Sequence, residues 1–138
     1  MNLDIDDRIE ITDLINRHGH YADDGDFDGM DTLFTDDVVY DLTDIGMDTL
    51  VGRARIRAVA LELGEENPVA HLATNIVLRP IGPDEVHARS KAIAIRANGR
   101  AGSATYEDVV VRTEDGWRIS RRRIVARRVP LSGVHRQG

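Results

Sequence analysis

The sequence predicts an α+β domain in which helices cover one face of a curved antiparallel sheet. Helical spacing of apolar residues is confined to the first 63 residues, whereas everything after about residue 70 is strand-like and divided by hairpin-type turns. The 138 residues are 41% apolar and 30% charged, which is ordinary for a globular protein with one sizeable core.

The first two helices are predicted from spacing and capping residues. Over 5–22 one face carries a stripe of apolar residues, namely Ile5, Ile11, Leu14, Ile15 and Ala22. Gly25 interrupts this helix, and Asp26 is a suitable N-cap for a second helix over 27–34, closed by Asp36-Asp37.

A strand and a third helix follow. The β-branched and aromatic residues of 38–42 favour a strand, and a loop rich in Asp, Thr and Gly comes next. A third helix fits 53–63, with Ile56, Val59, Ala60 and Leu63 facing inward, and Gly64 and Pro68 end it.

Four strands are predicted for the rest of the chain, over 70–79, 84–97, 100–113 and 117–128. The turns between them are Pro80-Ile81-Gly82-Pro83, Asn98-Gly99 and Glu114-Asp115-Gly116, at hairpin spacing. We find no internal repeat or linker, and therefore expect one domain over 1–138 with its core at about 5–128.

Composition excludes several kinds of site. There is no cysteine, so disulfides, thiolate nucleophiles and cysteine-ligated metals are excluded. No apolar run approaches the roughly 20 residues of a membrane span, and the acidic N-terminus is unlike a signal sequence, so we expect a cytoplasmic protein without membrane contact.

Charge is unevenly distributed along the chain. Residues 1–50 hold 15 acidic and two basic residues (−13), and residues 51–138 hold 16 basic and nine acidic residues (+7), which gives the net −6. Because aromatic residues are scarce among the arginines, we expect no nucleic-acid partner and interpret the two halves as neutralising each other on packing.

Two candidate site residues lie on the first helix. His18 falls on its apolar stripe, so its ring should point into the domain, as a hydrogen-bonded core residue or as part of a site. Asp23 lies near the helix end among other acids, where periodicity alone does not distinguish it from a capping or solvated residue.

The strands provide the other candidates. His71 and Asn75 should share one face of their strand, as an exposed polar edge or as part of a site. Tyr106 and Asp108 share a face of the third strand of the meander, and Arg122 lies on the fourth; each fits a pocket or a surface.

Several catalytic motifs are absent. His20, His87 and His135 have no metal-ligand spacing, so we expect no metal. The sequence also lacks a glycine-rich phosphate loop and a Gly-x-Ser-x-Gly elbow.

Short motifs along the chain nevertheless occur in a characteristic order. These are Ile11-Thr12-Asp13-Leu14, Asp23-Asp24-Gly25-Asp26-Phe27-Asp28, Leu33-Phe34-Thr35-Asp36-Asp37, Gly52-Arg53-Ala54-Arg55-Ile56, His71-x-x-Thr74-Asn75 and Asp115-Gly116-Trp117-Arg118-Ile119. Together they resemble the SnoaL-like branch of the nuclear transport factor 2-like superfamily over about residues 5–128. The resemblance implies a cone-shaped curved antiparallel sheet that encloses one pocket with its three helices.

The resemblance also implies site residues. Its scytalone dehydratase, bile-acid 7α-dehydratase and lindane dehydrochlorinase members use an Asp–His pair at positions that match Asp23 and His71, whereas His18 stands where several relatives carry a pocket tyrosine. We expect His18, Asn75, Tyr106, Asp108 and Arg122 to bind the substrate.

Family membership of this kind does not fix a single reaction. We expect a lyase that needs no cofactor and removes a leaving group from a small, largely apolar substrate by general-base catalysis. A polyketide cyclase, an isomerase or a non-catalytic ligand-binding domain are the alternatives, and the resemblance implies a homodimer or homotrimer.

Overall fold

A computed structural model describes residues 3–136, in which three helices accompany a six-stranded sheet. The helices are α1 (Ile5–Asp24), α2 (Phe27–Asp31) and α3 (Arg53–Leu63). The strands are β1 (Phe34–Asp41), β2 (Thr49–Val51), β3 (Ala70–Gly82), β4 (Glu85–Ile95), β5 (Ala101–Thr113) and β6 (Gly116–Ala126). The α+β prediction is therefore confirmed.

The strands form one curved open sheet in the order β2-β1-β6-β5-β4-β3. Strands β3 to β6 form the predicted antiparallel meander, and β1 joins it parallel to β6. The register shifts between Thr74 and Val77 in β3, and between Val109 and Val110 in β5. Because an extra residue on one strand bends it, these irregularities contribute to the curvature of the sheet.

Local sequence determines both ends of α1. The Asp4 side chain accepts a hydrogen bond from the Asp7 amide at 2.9 Å, and Gly25 closes the helix in the left-handed conformation at φ 65°. Asp26 then caps α2 through the Gly29 amide, as predicted. The carboxyl end of α1 is therefore fixed next to Asp23.

The second helix is shorter than predicted, which is a correction to the 27–34 prediction. It ends at Asp31, because the chain from Phe34 onward pairs with β6, where Phe34 lies opposite Ile119. Asp36 and Asp37 consequently belong to β1 and do not close a helix. The three-residue edge strand β2 was not predicted, because so short a segment has no readable alternation.

The core lies between α1 and the inner face of the sheet. Ile11, Leu14 and Ile15 of α1 are completely buried there. Their partners in the same hydrophobic cluster include buried sheet residues, namely Val86, Val110, Trp117 and Ile119. Ile11, Leu14 and Ile15 of the predicted apolar stripe therefore form the face on which α1 packs, whereas Ile5, which was predicted to share that stripe, is 72% exposed.

A polar cluster fastens the start of α1 to the sheet. The Trp117 indole donates a 2.9 Å hydrogen bond to Asp7, and Arg112 donates two more to the same carboxylate while its guanidinium lies 4.5 Å from the Trp117 ring. The hydrogen bonds from Arg112, followed by that from Trp117, lower the pKa of Asp7 below its ordinary value. This cluster fixes the position of α1 on the sheet from its first turn.

No helix among residues 3–136 combines the length and apolar character that crossing a membrane requires.

Candidate functional site

Asp23 and His71 meet where the end of α1 crosses the start of β3. The Asp23 Oδ1 and His71 Nδ1 atoms are 2.7 Å apart, although the residues are 48 positions apart in the chain. The side chains are 27% and 22% exposed, respectively. The pair predicted by the family resemblance is thus in direct contact, and both side chains are partly exposed to solvent.

Asp23 holds the main chain of His71 as well as its ring. The His71 amide donates to Asp23 Oδ1 at 3.0 Å and to Oδ2 at 3.2 Å. Because a carboxylate only accepts hydrogen bonds, the neutral imidazole must carry its proton on Nδ1 to donate to Asp23. The Nε2 lone pair is then available to accept a proton, which is the arrangement of a general base.

Gly19 makes this contact possible and was missed by the sequence reasoning. It is buried on α1, and a Cβ atom built on it would overlap the carbonyl oxygen of His71. The helix therefore approaches β3 more closely than a residue with a side chain allows. A glycine inside an otherwise continuous helical pattern, one residue after the inward His18, was the available signal.

Gly19→Ala should destabilise the protein by about 1–3 kcal/mol, since the added methyl group must push α1 away from β3. The sign of this change in the free energy of unfolding is informative, because a Gly→Ala substitution in an exposed helix interior stabilises a protein by roughly 1 kcal/mol. Urea unfolding measures the effect, with Gly102→Ala as the matched control, since a Cβ at Gly102 meets no atom within 4 Å. A Gly19→Ala protein as stable as the native one would show that α1 and β3 can separate without cost.

His18 is buried beside the pair, as its position on the apolar stripe predicted. Its ring makes edge-to-face contacts with Phe34, His71 and Tyr106, with centroids 6.2, 6.1 and 6.3 Å away. Burial, then the charge of Arg122, and then His71, lower the pKa of His18 well below its ordinary value. The imidazole of His18 is therefore neutral at neutral pH and can donate only one N–H.

This burial predicts that acidification destabilises the protein. Below the ordinary pKa of 6.5, an unfolded chain binds a proton at His18 that the folded protein rejects. The contribution of the neutral His18 to the free energy of unfolding should therefore be fully present above pH 6.5, and the free energy of unfolding should fall as the pH drops below 6.5. Urea unfolding of the native protein and of His18→Leu over this pH range tests this; equal pH slopes in the two proteins would contradict it.

Asp108 and Arg122 form a buried ion pair on the inner face of the sheet. Arg122 Nε and Nη2 donate to the two Asp108 oxygens at 2.8 and 2.9 Å, and both side chains are 0% exposed. Burial alone would lower the pKa of Arg122, but the charge and hydrogen bonds of Asp108 outweigh it and raise that pKa. Arg122 thus stays charged inside the protein.

Tyr106 joins this ion pair to the histidines. The Arg122 guanidinium lies 4.0 Å from the centroid of the Tyr106 ring. The same Tyr106 ring also contacts the ring of His18. Burial raises the pKa of Tyr106, so its hydroxyl remains protonated. A chain of contacts therefore runs from His71 through His18 and Tyr106 to the Arg122–Asp108 ion pair.

Among the buried side-chain atoms that lack a hydrogen-bonding partner in the part of the chain that the structure describes, two lie on strands β4 and β6. They are Ser90 Oγ and Arg122 Nη1. Ser90 lies opposite Tyr106 in the sheet, and Asp108 lies opposite Arg122. Since buried donors are normally satisfied, an unpaired guanidinium N–H on this face is suited to a ligand oxygen. Ser90 was missed because a lone serine in a strand carries no distinguishing signal.

Asn75 does not join this group, which corrects the prediction that it projects together with His71. It has φ 55° and lies within the irregularity between Thr74 and Val77, which breaks the alternation of side chains along β3. Its surroundings are those of the outer sheet face, since it lines the same groove as Val77, Arg79 and Lys91. The expected substrate contact of Asn75 is therefore withdrawn.

The described cavities lie away from the Asp23–His71 pair. A groove of about 710 Å³ runs over the outer face of the sheet, lined by residues such as Arg79, Arg89 and Arg123. A smaller cavity of about 320 Å³ lies between α3 and β2. The unpaired Arg122 Nη1 and Ser90 Oγ atoms are buried within the sheet, and the enclosed pocket expected from the family resemblance stays a prediction.

Comparisons with known proteins identify the family and the fold. The family model of the SnoaL-like domain matches residues 4–123. The uncharacterised protein Rv2910c of Mycobacterium tuberculosis is 33% identical over 129 residues, covering 86% of this chain and 84% of its own length.

Two solved structures from Novosphingobium aromaticivorans are similar as well. One, a candidate aromatic ring hydroxylase, has a TM-score of 0.79 and 30% identity, covering 93% of this chain and 94% of its own. The other, a nuclear transport factor 2-like protein with a cystatin-like fold, has a TM-score of 0.76 and 29% identity, covering 96% of this chain and 88% of its own.

Proposed function

The chain belongs to the SnoaL-like domain family, whose fold serves small-molecule binding and cyclase, isomerase or dehydratase chemistry, and we propose that it is a lyase of the dehydratase type. The observation that carries the proposal is the 2.7 Å contact between Asp23 Oδ1 and His71 Nδ1. In the tautomer that donates from Nδ1, the lone pair is on Nε2. The substrate class is a small, largely apolar compound with a carbonyl group and a leaving oxygen β to it.

His71 is the general base in this proposal. Its Nε2 removes the proton from the carbon next to the carbonyl group, and the negative charge of Asp23 stabilises the imidazolium that forms. The contribution of such a base is typically about 10²–10⁴ in rate. The two hydrogen bonds from the His71 amide keep the carboxylate from turning away during this step.

Arg122 stabilises the enolate oxygen that develops on the carbonyl group. Its Nη1 has no partner among the described residues, and its charge is held by Asp108 in a site without solvent exposure. A preorganised donor in such a low-dielectric place favours developing negative charge. Asp108 is therefore a positioning residue, which keeps the guanidinium charged and correctly oriented.

The elimination then balances without a cofactor. The electrons of the broken C–H bond form the new C=C bond, and the C–O bond to the β carbon breaks. The leaving hydroxide takes the proton that His71 acquired, so the products are an α,β-unsaturated carbonyl compound and water, and His71 is again neutral. In this proposal the N–H of the neutral His18, whose ring contacts that of His71 with centroids 6.1 Å apart, hydrogen-bonds the leaving oxygen.

A panel of aryl and alkyl β-hydroxy ketones in D₂O tests the proposal. Elimination is followed by ultraviolet absorbance of the conjugated product, and exchange of the α proton by NMR. The native protein should form product, and His71→Ala should form none above background. Tyr21→Phe is the control for a substitution on α1 outside the Asp23–His71 pair, and it should keep native activity. Tyr21 is only partly buried, and its side chain makes no hydrogen bond to Asp23 or His71.

The outcomes separate the alternatives. Proton exchange that depends on His71 without loss of water would indicate an isomerase or cyclase and would overturn the lyase assignment. Saturable binding of the same ketones, with neither exchange nor elimination, would indicate a ligand-binding domain.

A further inference from the structure

A row of alanines crosses the inner face of the sheet. Four alanines stand opposite one another on neighbouring strands, namely Ala73 of β3, Ala92 of β4, Ala104 of β5 and Ala126 of β6. Residues directly opposite each other in an antiparallel sheet share a face. Ala92 lies an even number of positions from the core residue Val86 on the same strand, so this face is the inner one. We call these four residues the alanine row.

The alanine row leaves a trough on the inner face. An alanine side chain ends at Cβ, whereas the neighbouring rows carry the larger His71 and Tyr106. Ala73, Ala104 and Ala126 are partly exposed although they lie on the face against which α1 packs. His71 precedes Ala73 by two residues on the same face of β3, a separation of about 7 Å. The trough is therefore apolar, open to solvent and adjacent to the proposed base.

Ser90 borders this trough. It lies two residues from Ala92 on β4, so its side chain projects from the same face beside the alanine row. Ser90 is 2% exposed, and its Oγ has no hydrogen-bonding partner among the residues that the structure describes. On the β3 side it faces the irregularity between Thr74 and Val77, where regular pairing is interrupted. Because a buried hydroxyl without a partner costs free energy, Ser90 is suited to an oxygen of a ligand.

Ser90 and Arg122 lie on opposite sides of Tyr106. Ser90 stands opposite Tyr106 on β4, whereas the Arg122 guanidinium reaches the Tyr106 ring from β6, with 4.0 Å to the ring centroid. Strands β4 and β6 are two strand spacings apart, roughly 10 Å. Since the serine side chain is short, the unpaired Ser90 Oγ and Arg122 Nη1 suit two different oxygen atoms of one ligand.

We propose that the alanine row binds the apolar part of the substrate and that Ser90 binds a second oxygen on it, separate from the carbonyl oxygen at Arg122. This inference rests on the proposed function for the identity of the ketone. The substrate class is then an apolar β-hydroxy ketone that carries a further hydroxyl group, because a hydroxyl can both donate to and accept from a serine. The four small side chains set the width of the group that fits.

Calorimetric titration with benzalacetone and its ortho-, meta- and para-hydroxy derivatives tests the role of Ser90. These compounds are α,β-unsaturated ketones like the proposed product. The native protein should bind one of the hydroxy derivatives about 3–10-fold more tightly than benzalacetone, the effect of one hydrogen bond. Ser90→Ala should remove this preference and leave the affinity for benzalacetone unchanged. The urea midpoint of Ser90→Ala should not fall, since the substitution removes a hydroxyl without a partner.

Thr105→Val is the matched control for Ser90→Ala. Thr105 is also buried, at 3% exposure, but its hydroxyl accepts a 3.2 Å hydrogen bond from Lys91. This variant should lower the urea midpoint and keep the preference for the hydroxy derivative. The opposite pattern in the two variants would distinguish a ligand-binding hydroxyl from a structural one.

A second pair of variants tests the alanine row. Ala104→Leu fills the trough from β5 and should weaken the binding of benzalacetone and its derivatives at least about 10-fold. Ala101→Leu is the control on the same strand, at an exposed position on the opposite face, and should bind like the native protein. Circular dichroism checks that both variants are folded. Native affinity in a folded Ala104→Leu protein would overturn the role of the row.

The remaining outcomes separate this inference from the proposed function. Equal loss of affinity for both ligands in Ser90→Ala would show that Ser90 contacts the carbonyl group, and it would overturn the second oxygen. A native protein that binds none of these ketones, or binds them all equally, would overturn it as well. Binding needs no general base, so His71→Ala should keep the preference even if the native protein eliminates no water. Elimination without a preference would sink the present inference alone.

Discussion

Asp23→Asn should lower kcat/KM for elimination of water from the β-hydroxy ketone substrate by about 10²–10⁴-fold while leaving the fold intact. The amide removes the negative charge that stabilises the His71 imidazolium, and it can also turn an N–H toward the ring and favour the wrong tautomer. The rate is measured by product absorbance. Nitrogen NMR of the imidazole reports the tautomer independently and should show the proton leaving Nδ1.

The neighbouring Asp24→Asn is the control for Asp23→Asn. It changes an exposed acid of the same helix turn by the same chemistry and should keep native activity and tautomer. Full activity of Asp23→Asn would remove the proposed role of the carboxylate. If both variants lost activity, the effect would come from the negative charge at the end of the helix and not from the specific contact of Asp23 with His71.

Asp108→Ala should destabilise the protein by about 3–5 kcal/mol, because it leaves the guanidinium of Arg122 charged, buried and unpaired. Chemical unfolding measures this loss. Glu107→Ala is the matched control: it is the adjacent residue of β5, and its 3.7 Å contact with Arg123 is half exposed. Exposed ion pairs of this kind contribute about 0–1 kcal/mol to the free energy of unfolding, so Glu107→Ala should lose far less stability than Asp108→Ala.

A double variant separates the stability of the ion pair from its chemistry. Asp108→Leu combined with Arg122→Met removes both charges together, and it should recover most of the stability lost by Asp108→Ala. Activity should not recover with it, since the proposed enolate donor is gone. Recovery of both would show that Arg122 does not contact the substrate, and recovery of neither would show that the inner face tolerates no apolar replacement.

Local signals in the sequence predicted most of the elements. The turn at Asn98-Gly99, the cap at Asp26 and the stop at Gly25 each act within a few residues, so their effects could be read directly. The predictions failed where pairing with a distant segment prevailed. Phe34 left the second helix to pair with β6, and the irregularity after Thr74 removed Asn75 from the inner face.

The sequence by itself determined the caps, turns and apolar faces, and with them the inward position of His18, because each depends on neighbours along the chain. It placed Tyr106 and Asp108 on one face of their strand without deciding whether that face lines a pocket or the surface. Only the tertiary structure decided that Asp23 touches His71 and that Asp108 pairs with Arg122. Residue spacing specifies which face a side chain occupies, but not how closely two elements approach. That approach is set by packing, here by the absence of a side chain at Gly19.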